Sequence, residues 1–129
     1  VVSGKHERDW SAVMVKQKMS EEAVNLVKIR AGWACEHCGT QSSLRWSIHH
    51  RKPRGMGGSK DLLANKAANL LLLCGSGTEG CHGWVESNRT KSYELGLLVH
   101  TWETSSEVPV EVFGSGSCML SNEGGKQPC

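Results

Sequence analysis

Large aromatic side chains are scarce in this sequence. It has one tyrosine, one phenylalanine and five tryptophans among 129 residues, so any core is aliphatic and small, the size of one ordinary domain. Proline is rarer still, at three residues, which excludes a proline-rich linker or ligand segment. No apolar run approaches the ~18 residues that a membrane span needs. Residues 1–10 carry Lys5, Glu7, Arg8 and Asp9, unlike the apolar stretch of an export signal. Acidic residues are nearly missing from one region: residues 45–66 hold Arg45, Arg51, Lys52, Arg54, Lys60 and Lys66 against Asp61 alone. A net charge of +2 says little, but this local excess suits a polyanionic partner.

What the chain does have is cysteine, at six residues. In a short exported chain that number suggests disulfides. Without an export signal, the knuckle Cys35-Glu36-His37-Cys38-Gly39 followed downstream by Cys74 and Cys81 reads instead as a metal site. Gly39 suits the tight turn that lets both knuckle sulfurs face one ion. Cys118 and Cys129 stand outside the pattern and read as free thiols, and His37 is expected to face solvent.

Residues 1–19 show no period and read as a loose arm. Ser20 is placed to cap a helix with Glu21 and Glu22 in its first turn, and Gly32 to end it. Residues 44–50 alternate Leu44, Trp46 and Ile48 with Arg45 and Ser47, a strand pattern. Residues 51–69 form a long loop, 70–73 a second strand, 75–80 a turn, and a helix begins near Cys81. Residues 87–90 interrupt that helix and Gly96 is a second stop. Further strands are expected at 97–99 and 108–113, with one weak hairpin in the glycine-rich end. The chain divides into an arm (1–19), a main domain (20–99) and a C-terminal β extension (100–129).

Within this frame His49-His50-Arg51-Lys52-Pro53-Arg54-Gly55-Met56-Gly57-Gly58 ends the first strand. Asn69-Leu70 opens the second, and Cys81-His82-Gly83-Trp84-Val85-Glu86-Ser87-Asn88 opens the helix. Histidine, asparagine and histidine in this order resemble the HNH endonuclease family, in its zinc-bearing form and in versions carried by phages and prophages. The resemblance covers residues 33–99, about half the chain. It implies an α+β fold with a ββα-metal (His-Me finger) core, a structural zinc held by the four thiolates of Cys35, Cys38, Cys74 and Cys81, and flanking helices. It implies a DNA phosphodiester hydrolase that nicks or cuts both strands and leaves 5′-phosphate ends. His50 is then the general base, Asn69 the residue orienting its imidazole, and His49 and His82 ligands of a catalytic divalent ion. That ion is magnesium or manganese, with nickel or zinc as further candidates. Many relatives have a histidine one helical turn after the last one. Here that place is taken by Glu86, which is either an oxygen ligand or a solvated acid.

Two geometric conditions attach to this reading. Neighbours in a regular strand point to opposite faces, so His49 and His50 share a site only where the strand ends or bulges. Adjacent Cys81 and His82 can serve two different ions, because successive helical residues project about 100° apart. The implied partners are DNA and, for phage relatives, a genome-packaging terminase, in the cytoplasm of a host cell. The alternative is a zinc-bound nucleic-acid-binding module without cleavage. The basic residues of 45–66 are the expected phosphate contacts, which give affinity without sequence information. Binding is therefore expected to fall steeply with salt. Replacing Lys52 and Arg54 together by alanine should weaken binding to unrelated DNA sequences alike; an effect confined to one sequence in filter-binding titrations would show that they read bases.

Overall fold

The computed structural model describes residues 20–53 and 63–129. The fold is α+β, built on two small sheets. Helix α1 (Glu21–Ala31) is followed by strands β1 (Trp46–His50) and β2 (Leu70–Cys74). Helices α2 (Gly80–Ser87) and α3 (Arg89–Glu94) come next, then β3 (Val110–Val112), β4 (Gly116–Leu120) and β5 (Lys126–Pro128).

Helix α1 has the ends its sequence predicts. Ser20 Oγ accepts the Ala23 amide at 3.0 Å. Gly32 takes the left-handed conformation at φ 66°, and the Trp33 amide returns to the Lys28 carbonyl, which satisfies carbonyls the helix leaves unpaired. The buried side of the helix is narrow, Ala23 and Val27, and packs on Leu70, Leu72 and Ala67.

Strands β1 and β2 pair antiparallel from Trp46↔Cys74 to His50↔Leu70. Both faces of β2 are covered, which explains four consecutive leucines where a one-sided strand would alternate. Leu70 and Leu72 face the α1 cluster. Leu71 and Leu73 join the larger cluster with Val85 of α2, Leu97, Leu98, Val110, Val112 and Leu120. The register runs without a bulge to His50, so His49 lies with Leu71 on one face and His50 with Ile48 on the other.

Four expectations of secondary structure differ from what is observed. The strand expected over 44–50 begins only at Trp46, and Leu44 is exposed. Residues 97–99 belong to neither sheet. They are buried and fastened by single bonds such as Val99 N–H to the Arg51 carbonyl; burial of an apolar run does not require a ladder. The strand expected over 108–113 is shortened to β3. The glycine-rich end forms a three-stranded sheet in the order β3-β4-β5 where one hairpin was expected. The expected 1–19 arm lies outside the described residues. No helix among those described is long and apolar enough to cross a membrane.

Buried ions knit the layers together. Arg30 and Glu36 pair at 2.8 Å with side chains 1% and 2% exposed. Arg30 also donates to the carbonyls of Ala67 and Leu70, and Glu36 accepts the Leu72 amide. Arg51, expected on a DNA-facing loop, is fully enclosed. Its guanidinium donates to the carbonyls of Gly96, Ala68, Ser105 and Val108 at 2.8–3.0 Å. A group so engaged cannot reach a phosphate, so Arg51 leaves the set of DNA contacts. Burial, with the nearby Arg30 charge, lowers its pKa to about 10, and it stays charged at neutral pH. Gly96 has φ 79° and a Cβ there would collide with the Pro109 carbonyl, so the carbonyl that Arg51 binds is presented by a position only glycine can fill.

Arg51→Met should destabilise the fold by at least about 3 kcal/mol, because four buried carbonyls lose their donor. Urea denaturation checks this, and Arg51→Lys should restore little, since an ammonium group cannot span the same fork.

Candidate functional site

Two clusters of ligand-type side chains form where β1, β2 and α2 meet. The first is Cys35, Cys38, Cys74 and Cys81, whose sulfurs all lie within 4.8 Å of one another. The knuckle is shaped by Gly39 at φ 82°, whose amide bonds the Cys35 carbonyl at 2.8 Å. The amides of His37 and Cys38 both point at Cys35 Sγ, 3.4 Å away. Cys74 ends β2 and Cys81 lies in the first turn of α2. The six residues between them are folded into a tight turn by reciprocal bonds between Ser76 and Glu79, so the long spacing does not separate the sulfurs. The Cys81 amide donates to Cys74 Sγ at 3.5 Å.

The four thiols are not equivalent. Burial raises the Cys35 thiol, but amide hydrogen bonds outweigh it and its pKa is lowered. Burial, followed by repulsion from Cys35, pushes Cys81 strongly up, and burial raises Cys38. Four crowded sulfurs cannot all ionise alone, whereas a bound metal deprotonates coordinating thiols outright. All six cysteines are free; the Cys38–Cys74 sulfur separation of 3.8 Å is far beyond the ~2.05 Å of a disulfide. The four cysteines can hold a metal ion and are compatible with a structural zinc: a complete thiolate set leaves no open position for a substrate.

The second cluster is His49, His82 and Glu86, with one ligand atom from each within 4.8 Å of the others. His49 is 3% exposed. Its Nε2 donates to the Leu97 carbonyl at 2.8 Å, which fixes the tautomer and leaves the lone pair on Nδ1. Burial, despite the opposing Leu97 bond and aided by His82, lowers its pKa to about 4. The ring is neutral near pH 7, the form that ligates metals. His82 Nε2 lies 3.7 Å from Glu86 Oε2, one helical turn away. His82 Nδ1 is buried and has no hydrogen-bond partner among the described residues. Two imidazoles and a carboxylate that bring one ligand atom each so close together can hold a divalent cation with two nitrogen donors and one oxygen. Glu86 is also held by Arg89, Nη1 to Oε1 at 3.1 Å.

His50 is not part of this convergence. It leaves the other face of β1, and its Nε2 donates to Asn65 Oδ1 at 2.9 Å. Asn69 is 2% exposed and serves the surrounding backbone. Its Oδ1 accepts from the Lys52 amide at 2.9 Å and from Ser105 Oγ at 2.5 Å, and its Nδ2 donates to the Ala64 carbonyl. Asn65 is thus the amide on His50, and sequence reasoning missed it: the loop has no periodicity from which a side-chain direction can be read. His37, expected to face solvent, is half-buried and stacks on Trp84, ring centroids 5.5 Å apart.

Among the expected phosphate contacts, Arg45 and Lys66 are exposed and Lys52 is half-buried. Arg45 lies 4.0 Å from Glu79 across the surface. Arg54 and Lys60 lie outside the described residues. Cys118 is buried in the larger core cluster and Cys129 is exposed. No protein family, curated protein or solved structure matches the chain.

The purified protein should contain about one tightly bound zinc per chain by elemental analysis, lost together with the fold in Cys35→Ser. His82→Ala should keep that zinc, because Cys81 and His82 belong to separate clusters; zinc loss in His82→Ala would show that they share one.

Proposed function

We propose that the chain is a metal-dependent HNH endonuclease that hydrolyses DNA phosphodiester bonds. The observation that carries the reading is the convergence of His49, His82 and Glu86 at the junction of an antiparallel strand pair and the helix that follows it. This ββα order, with a cysteine cluster beside it, is the arrangement that the resemblance to the HNH family implies.

In this reading His49 and His82, with Glu86, hold a divalent cation. Such an ion supplies charge neutralisation at the phosphate and at the departing 3′ oxygen. Magnesium and manganese suit the carboxylate, nickel and zinc the imidazoles. His50 acts as the general base: it takes a proton from water, the water oxygen bonds to phosphorus, and the bond from phosphorus to the 3′ oxygen breaks. The 3′ oxygen then gains a proton from solvent, which leaves 5′-phosphate and 3′-hydroxyl ends. Asn65, bonded to His50 Nε2, is the amide that orients this imidazole. The cysteine cluster holds a structural zinc. Arg45, Lys52 and Lys66, with Arg54 and Lys60, supply phosphate contacts. The resemblance to phage and prophage versions extends the proposal to a role beside a genome-packaging terminase.

One observation favours a second reading, a zinc-held nucleic-acid-binding module that does not cleave. His50 leaves the opposite face of β1 from His49, so the base and the proposed cation approach the scissile bond from different sides of a strand end.

Nicking of supercoiled plasmid in magnesium or manganese separates the two. The wild type should nick, and His50→Ala should be slower by ~10²–10⁴-fold, the usual share of general-base catalysis, with zinc content and DNA affinity unchanged. Wild-type rates from His50→Ala would move the base elsewhere, His49 being the first substitute. A wild type that binds DNA yet nicks with none of magnesium, manganese, nickel or zinc would establish the binding module.

A further inference from the structure

Three rings stand in a ladder beside the second cluster. Tyr93 and His100 stack with centroids 4.1 Å apart and planes 4° from parallel. His100 and Trp102 stack at 4.5 Å and 3°. An imidazole has two faces, so Tyr93 takes one and Trp102 the other. The guanidinium of Arg89 stands 6.0 Å over the Tyr93 ring, and the same Arg89 bonds Glu86. The ladder therefore starts at the proposed cation ligands and runs outward to Trp102, which is 78% exposed.

Single exposed apolar residues need no explanation. Trp102 differs because it is held flat. The Glu103 amide bonds the His100 carbonyl at 3.0 Å, and Glu103 Oε1 accepts the His100 amide at 3.2 Å, so the turn between them fixes the indole against His100. The same bond engages the nearby carboxylate that would otherwise face a phosphate chain. A preorganised indole with one covered and one open face presents a planar apolar surface at little entropic cost. Flat rings in series, with a cation at the inner end, match the combination by which proteins hold unpaired nucleic acid: bases stack on aromatic faces while positive charge tracks the backbone.

We propose that Trp102 is a stacking platform for a nucleobase of an unpaired DNA strand next to the scissile bond, so that the preferred substrate has a single-stranded or frayed segment. This deepens the proposed function and rests on its DNA-binding half, not on cleavage. Stacking accepts any base, because every base has a π-face.

Full-length protein is titrated with a fluorescent single-stranded oligonucleotide and with a duplex of the same length, in chelator and at fixed salt. Trp102→Ala should weaken single-strand binding about five- to a hundredfold, the range of one lost base stack, and leave duplex binding unchanged. Trp102→Phe should recover most of the loss. Replacing successive bases by abasic sites should reproduce the loss at one position in the wild type and have no effect at that position in Trp102→Ala. Circular dichroism should show an unaltered fold, since the indole is mostly in solvent. Equal single-strand affinity for wild type and Trp102→Ala overturns the proposal. So does an equal loss on single strand and duplex, or sedimentation showing a dimer that Trp102→Ala converts to monomer without affecting DNA binding. A wild type that never nicks but shows the Trp102 effect sinks the nuclease reading alone. Normal nicking with no Trp102 effect sinks this proposal alone.

Discussion

A pair of five-residue strands cannot stand alone in water, and the described elements around β1 and β2 hold the two together. Each face of the pair has its own cover. On one side α1 contributes buried Ala23 and Val27 with half-buried Leu26 and Ala31, a thin apolar contact. On the other, α2 and the C-terminal sheet bury Leu71 and Leu73. The two apolar clusters stay separate among the described residues, so the junction depends on groups that reach across strand ends and edges.

Those groups are charged, and they are satisfied mainly by backbone. Arg30 reaches the carbonyls of Ala67 and Leu70, and its partner Glu36 accepts the Leu72 amide, so one ion pair clamps α1 and the knuckle to β2. Arg51 leaves the end of β1 and collects carbonyls from before β2, from the end of α3 and from the segment leading into β3. A buried ion pair contributes little stability in itself, but removing one member leaves the rest unpaired. The two arginines thus act as multi-way fasteners in a protein with too few aromatic residues to fill its interior. The cysteine cluster brings together the knuckle, the end of β2 and the start of α2, where a bound metal ion would add a third fastening.

This explains what the sequence could and could not disclose. Helix α1 was legible at both ends because Ser20, Glu21, Glu22 and Gly32 each act locally. The strand pair was legible from the Trp46 and Ile48 alternation and the leucine run, although Leu44, read with them, lies outside β1 and is fully exposed, and the cysteine group was legible from knuckle spacing. The functions of Arg51 and Asn69 were not. A basic residue in a basic loop looks like a phosphate contact, and only the chain folding over it, 45 or more residues later for Gly96, Ser105 and Val108, makes it a core residue. Asn69 likewise bonds Ser105, 36 residues away. Non-local partners leave no periodicity. The His49–His50 alternation was foreseeable from strand geometry, but whether a bulge relieved it was not, because bulges arise from pairing rather than from composition.

Helix α2 shows how much a short element can be asked to do. With about 100° between successive residues, Cys81 and Val85 fall within about 40° of each other and face the cysteine cluster and the core. His82 and Glu86 form a second pair with the same offset, rotated by one residue, and face His49. Gly83 points elsewhere again, where a Cβ would come within 2.6 Å of the Thr78 carbonyl carbon, so the turn before the helix can lie against it. Trp84 takes the remaining direction and covers His37. Four directions of a helix only eight residues long are thus committed to two ligand clusters, a core, a turn and a stack. A one-residue slip would break up both clusters, placing His82 toward the sulfurs and Gly83 toward His49. The register of α2 is fixed from outside, by the turn that places Cys81 beside Cys74. The cysteine cluster therefore positions the histidine cluster through the rotation of one helix, without sharing a ligand with it.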